Sequence, residues 1–182
     1  MNKLDKILLT VEKPARYIGG EYNSPAPDWK DLNYCICFPD VYEVGMSNLG
    51  IRIVAESLRQ VDGVYVDRCF APWADFGKAL KENDIPLYAL STKRPLKDFD
   101  IIGFSLQFEM CYTTVLYMLD LAGIPLRAKD RGEEYPLIQG GGPCMTNPEP
   151  VAEFFDFFVI GDGEETMAQM AKVRLASKSK KE

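Results

Sequence analysis

Between Cys35 and Gly50 the chain reads Cys-Ile-Cys-Phe-Pro-Asp-Val-Tyr-Glu-Val-Gly-Met-Ser-Asn-Leu-Gly. An apolar run breaks at Pro39 into a polar loop and restarts with helical spacing. That order of strand, loop and helix is the repeating unit of parallel α/β sheets. In such sheets ligands sit where strands end and helices begin, because those loops carry little packing duty and helix N-termini offer unpaired N–H groups. The sequence thus fixes both a fold class and the edge on which to look for a site.

The rest of the chain repeats the unit. Tyr34 to Phe38 predicts a strand covered on both faces. From Asn48, a side-chain cap, Ile51, Val54, Ala55 and Leu58 follow the spacing of one buried helical face. Val64 to Phe70 predicts a second strand. Trp73, Phe76 and Leu80 predict a short helix ending at Asn83-Asp84, and Leu87 to Leu90 a brief extended piece. Asp100 to Leu106 is a further strand, and Val115, Leu116, Leu119 and Ala122 form one helical side that Gly123 stops. Pro136 to Gln139 leads into Gly140-Gly141-Gly142-Pro143, and Phe154 to Ile160 into Gly161-Asp-Gly-Glu-Glu165 and a last helix. The predicted fold is α/β, a doubly wound and mainly parallel sheet of Rossmann-like type, with an extended N-terminal arm.

Residues 1–33 form that arm, broken by Pro and Gly in Glu12 to Glu21 and in Ser24 to Asp28. Residues 34–172 form the domain. Residues 173–182 read as a polar tail, fading into Lys and Ser as if cut from a longer protein. With 182 residues, 47% of them apolar, one well-buried core is expected. A net charge of −6 argues against a nucleic-acid footprint. Lys178, Lys180 and Lys181 read as a solvated terminal run rather than a binding patch. No segment has the length and apolarity to cross a bilayer, and a cytoplasmic location is expected. Five cysteines at irregular spacing fit reduced thiols. Histidine is absent, which removes Ser-His-Asp and Cys-His catalysis and imidazole metal sites.

Four loops are expected to line one sheet edge: Asp40 to Asn48, Ser105 to Met110, Gly140 to Asn147 and Gly161 to Glu164. Gly140, Gly141 and Gly142 permit close approach of a ligand to the backbone, or make only a tight turn. Gly103 allows a helix or ligand near its strand. Ser105 puts a hydroxyl at the strand's end, to bond a ligand or to cap the next helix. Asp40 is read as pinning loop amides, and Asp40 and Glu43 lack a visible partner for acid–base work. Tyr42 either lies beneath a flat ring or packs as an aromatic with no ligand. Cys35 and Cys37 point to one side of a strand and read as core. Cys111 and Cys144 stand in or near the loops, without a base to activate them.

Several of these motifs resemble, in their order, the N-terminal domain of cobalamin-binding radical SAM proteins. They are Phe38-Pro-Asp-Val-Tyr-Glu-Val-Gly45, Asp100-Ile-Ile-Gly-Phe-Ser105, Gly140-Gly-Gly-Pro143 and Phe158-Val-Ile-Gly-Asp-Gly-Glu-Glu165, with the arm Lys13-Pro-Ala-Arg-Tyr-Ile-Gly-Gly-Glu21. Asp40-x-Tyr42-x-x-Gly45 has the frame of the D-x-H-x-x-G loop of that group, with tyrosine where the group's histidine ligates cobalt. The resemblance implies a cobalamin-binding domain, with Asp40, Tyr42, Gly45, Ser105, Gly140, Gly141 and Gly142 at the cofactor and no protein imidazole below the metal. It also implies a downstream radical SAM barrel in the same polypeptide, carrying a 4Fe-4S cluster and S-adenosylmethionine. The C-x-x-x-C-x-x-C motif that would hold such a cluster does not occur in these residues, so this chain is not catalytic alone. Two other readings stand beside it. One is a degenerate Rossmann-like module for docking or substrate recognition. The other is a flavin- or nucleotide-binding module, weakened by the lack of a G-x-G-x-x-G turn.

Overall fold

The computed structural model describes residues 2–22, 24, 26, 28–177 and 179. The three lysines of the C-terminal run, Lys178, Lys180 and Lys181, lie outside these described residues.

The segment before the first strand carries two short helices, α1 (Lys3–Leu8) and α2 (Ala15–Ile18), set into the Pro- and Gly-punctuated arm. Asn2 and Asp5 close a reciprocal capping box on α1. The arm is packed, not free: Ile7, Leu8 and Val11 are buried, and the Tyr17 ring stacks on Phe76 at 3.8 Å between centroids. Then follow β1 (Leu32–Phe38), α3 (Tyr42–Ser47), α4 (Leu49–Arg59), β2 (Val64–Phe70) and α5 (Ala74–Glu82). After these come β3 (Ile101–Ser105), α6 (Tyr112–Leu121), β4 (Leu137–Gly141), β5 (Phe157–Phe158) and α7 (Gly163–Ala176).

Two elements differ from expectation. The loop after β1 is itself a short helix, α3, seated by Gly45 against the Phe70 ring and by the Arg16–Glu43 pair. Leu87 to Leu90 is the brief extended piece expected, with an isolated antiparallel bridge between Tyr88 and Pro95 and with Leu90 N–H donating to Arg68 O. The last helix runs on to Ala176, past the point where apolar spacing fades, because only its inner side, including Met167 and Ala171, meets the core.

All five strands are parallel, in the order β2-β1-β3-β4-β5. Alternation along the strands splits the core in two. Cys35, Cys37, Ile102, Phe104 and Ile138 face α1, α5 and α6. Tyr34, Ile36, Val64, Val66 and Ile101 face α4 and α7. The winding reverses beside β1: the chain steps out to β2, then returns to place β3 on β1's other side. That reversal leaves a crevice between the two strands' carboxyl ends, where doubly wound sheets take their ligands.

Candidate functional site

A cavity of about 260 Å3 opens at this crevice, on the sheet face covered by α4 and α7. It reaches inward along β1, β3 and β4 from Ser105, Gly141 and Gly142 at the mouth to Tyr34, Gly103 and Gln139 at the floor.

The floor is polar and closed. The Tyr34 hydroxyl donates to Gln139 Oε1 across β3. It can cross only because residue 103 is glycine: a Cβ there would overlap the Tyr34 hydroxyl. Burial pushes the Tyr34 phenol well above its ordinary pKa, so it stays a neutral donor. Gly103 therefore makes room for a neighbouring strand's side chain, where a helix or ligand was expected.

The side walls are apolar. Ile51 and Val54 of α4 and Met167 of α7 face Ile36 and Val159. The two helices come together at Gly163, whose Cβ would lie 3.4 Å from Val54 Cγ2. At the mouth, Gln107 Nε2 donates to Ser105 Oγ at 2.8 Å. Ser105 does not cap the next helix, since α6 starts at Tyr112 with no side-chain cap. Gly142 has φ +97°, and a Cβ on it would lie 2.7 Å from the Leu106 carbonyl oxygen. The turn is tied to β3's end, where Leu106 N–H donates to Gly141 O at 2.8 Å. Asp162 and Glu164 complete the mouth, and no Lys or Arg among the described residues lines the cavity.

Of the seven residues expected at the site, Ser105, Gly141 and Gly142 line this cavity together. The other four lie elsewhere. A Cβ on Gly140 would point to the opposite sheet face, 2.6 Å from the Phe158 ring. Gly45 is buried where a Cβ would overlap the Phe70 ring, so its glycine serves the seating of α3. The Tyr42 ring packs edge-on against Phe70 at 5.4 Å. Burial and the neighbouring Glu21 carboxylate raise its pKa, which keeps the phenol neutral. Asp40 Oδ1 accepts the Val41 N–H at 2.7 Å, which agrees with a loop-pinning role. Asp40 lines a separate surface groove with Trp73, Phe108 and Met110. Glu43 has partners after all: Arg16 at 2.9 Å and Lys13 at 3.6 Å. The Arg16 hydrogen bond holds its carboxyl below the usual range, so it remains ionised.

Tyr34, Gln139, Ile51, Val54 and Met167 were not expected at a site. Each reads in sequence as an ordinary core position, and only Gln139, a polar residue within an apolar strand, carried a signal that could have marked it. All five cysteines are free and buried. Burial pushes the Cys35 thiol up to about 12 and raises Cys37, Cys69 and Cys111, so none of these four is a ready thiolate. Among the described residues no cluster of Cys, Asp or Glu could hold a metal ion, and no helix is long and apolar enough to cross a membrane.

An uncharacterized protein of Methanocaldococcus jannaschii is 27% identical over 135 residues, covering 72% of this chain and 24% of that protein. The chain thus spans about a quarter of its relative's length. Residues 50–182 match the model of the N-terminal region of radical SAM proteins. This match takes in most of the sheet and both helices that wall the cavity, and by it the chain belongs to the family of radical SAM protein N-terminal regions.

Proposed function

We propose that this chain is a cobalamin-binding N-terminal domain, and that its cavity takes the cofactor's nucleotide tail. The observation that carries this reading is the depth and shape of the cavity at the winding reversal. At about 260 Å3 it falls below the ~300–1,000 Å3 of pockets that enclose whole drug-sized ligands. It suits a flat base with its sugar, slid between the sheet and the two helices, better than a macrocycle. The corrin would then lie outside, over Gly141 and Gly142, where the backbone presents no side chain.

The donor set fits such a tail. Apolar Ile51, Val54 and Met167 sandwich a base, while Ser105, Gln107 and the Tyr34–Gln139 pair supply hydrogen-bonding groups around it. Tyr42, at the position of the group's histidine, is a neutral phenol packed on Phe70 and would not ligate the cobalt. Bound in this way, cobalamin supplies a reactive cobalt centre for methyl transfer or rearrangement. A downstream barrel in the same polypeptide, with its 4Fe-4S cluster and S-adenosylmethionine, would supply the radical step.

The alternatives fare less well. The terminal phosphate dianion of a flavin or free nucleotide would meet Asp162 and Glu164 with no Lys or Arg among the described residues lining the cavity, a larger repulsion than that of the singly charged phosphodiester in cobalamin's tail. A module that only docks partners has no need of a deep crevice with a polar floor. The test is retention of colour. Purified chain incubated with hydroxocobalamin and desalted should keep the corrin spectrum, and Gly141→Trp should lose it. Colourless wild-type protein would overturn the reading, as would full retention by Gly141→Trp.

A further inference from the structure

α4 has a second functional side. Ile51 and Val54 face the cavity, whereas Arg52, Glu56 and Arg59, at positions i, i+4 and i+7, form a stripe on a different face. That stripe walls a groove of about 500 Å3, closed by Arg68 on the edge strand β2, Met46 of α3 and Tyr22 of the arm.

Arg68 is the unusual residue. The residue is only 9% exposed, and its side chain lies on the α4 face of the sheet. A guanidinium has five N–H donors, and buried ones are costly unless paired. Here one terminal nitrogen meets the Met46 thioether at 3.3 Å, a weak acceptor. The other has the Ser24 hydroxyl at 3.4 Å and a Glu21 carboxylate oxygen at 3.9 Å, which is too long for a hydrogen bond. Its Nε–H is buried with no partner among the described residues.

The neighbours offset this charge only in part. Arg59 also has a buried Nε without a partner among the described residues and reaches Glu56 only at 3.8 Å. Burial, and then the nearby positive charge of Arg68, lower the Arg59 pKa, the mark of two cations held together. Arg52 lines the same groove, with no hydrogen bond or ion pair among the described residues. Three guanidiniums and one carboxylate, Glu56, line the groove on a chain of net charge −6, with Glu21 beside Arg68 and the buried Asp67 next along β2. One carboxylate is satisfied by a single guanidinium fork, but three guanidiniums match the charge and the oxygens of a phosphate. Leu49 and Ile53, both exposed, give the same groove an apolar wall.

We propose that this groove is a binding site for a phosphate monoester with an apolar or aromatic body, whose phosphate is taken by Arg59 and Arg68 inside and Arg52 at the rim. The site shares α4 with the tail cavity but none of the residues assigned to the cofactor, so it stands or falls separately from cobalamin binding.

Isothermal titration of the 182-residue chain, with ionic strength matched by sodium chloride, tests it. Inorganic phosphate should bind saturably, phenyl phosphate more tightly, and benzoate more weakly than phenyl phosphate. Arg59→Gln and Arg52→Gln should each weaken phenyl phosphate about tenfold, the size expected for one charge-assisted hydrogen bond. Arg52 is exposed and Arg59 half-buried on α4, and unchanged circular dichroism would confirm that these variants fold. Absence of saturable binding would overturn the proposal. So would equal affinity for benzoate, or affinity unchanged in the two variants.

Discussion

The floor of the cavity turns on one missing atom. Gly103 has no Cβ, and the Tyr34 hydroxyl fills the space to reach Gln139. Gly103→Ala should therefore destabilise the chain by about 1–3 kcal/mol, the usual range for overpacking, and close the inner end of the cavity. Urea denaturation should show Tyr34→Phe partly rescuing Gly103→Ala, since the nearest clashing atom is removed while the ring remains. Strict additivity of the two changes would contradict this packing. The glycine was legible in the sequence, but its partner was not, because parallel strand register is set by contacts between distant residues. The buried acids make a second prediction. Burial raises the folded-state pKa of Cys35, Cys37, Cys69 and Tyr34 above their unfolded values, roughly 8.5 for Cys and 10 for Tyr. A raised pKa gives full stability below the unfolded value, and this is lost as pH climbs toward the folded one. Urea midpoints should hold to about pH 8.5 and then fall, each thiol adding roughly 1.4 kcal/mol per pH unit. A midpoint unchanged from pH 8 to 11 would mean that these groups are not buried.

Among the elements, the ones with strong periodicity were legible and the short ones were not. α4 follows its apolar spacing and its cap: Asn48 Oδ1 accepts the Ile51 N–H at 3.1 Å. Asn48→Ala should cost about 0.5–2 kcal/mol in urea titration, and Asn48→Ser should restore most of it. Equal stability of wild type and Asn48→Ala would remove the cap from the account. By contrast α3, with six residues, is too short for pattern to separate it from loop, and β5 keeps only two residues of the expected run Phe154 to Ile160. α3 is held by its setting. Gly45 lies against Phe70, Tyr42 packs on the same ring, and Arg16 of α2 pairs with Glu43. These tertiary contacts turned a predicted ligand loop into a packed helix that stands away from the cavity.

At the scale of the whole molecule, alternating strands and helices made the parallel α/β class readable, and the strand order then fixed where the loops gather. Three of the four expected loops contribute to the cavity, through Ser105, Gly141 and Gly142, and Gly161 to Glu164; the fourth covers β2 beside the arm. Loops gathered at one sheet edge point to a ligand at the rim, whereas the structure offers depth between the sheet and the α4–α7 pair. That depth came from side chains of ordinary core type and was invisible before their packing was known. The central claim is that this depth holds the cofactor's nucleotide tail, and comparing hydroxocobalamin with cobinamide, the corrinoid that lacks the tail, tests it most directly. Equilibrium titration followed by the corrin absorbance should show cobalamin bound and cobinamide at least about a hundredfold weaker, the loss of roughly 2.7 kcal/mol of tail burial. Equal affinity for the two corrinoids, or binding of neither, would contradict it.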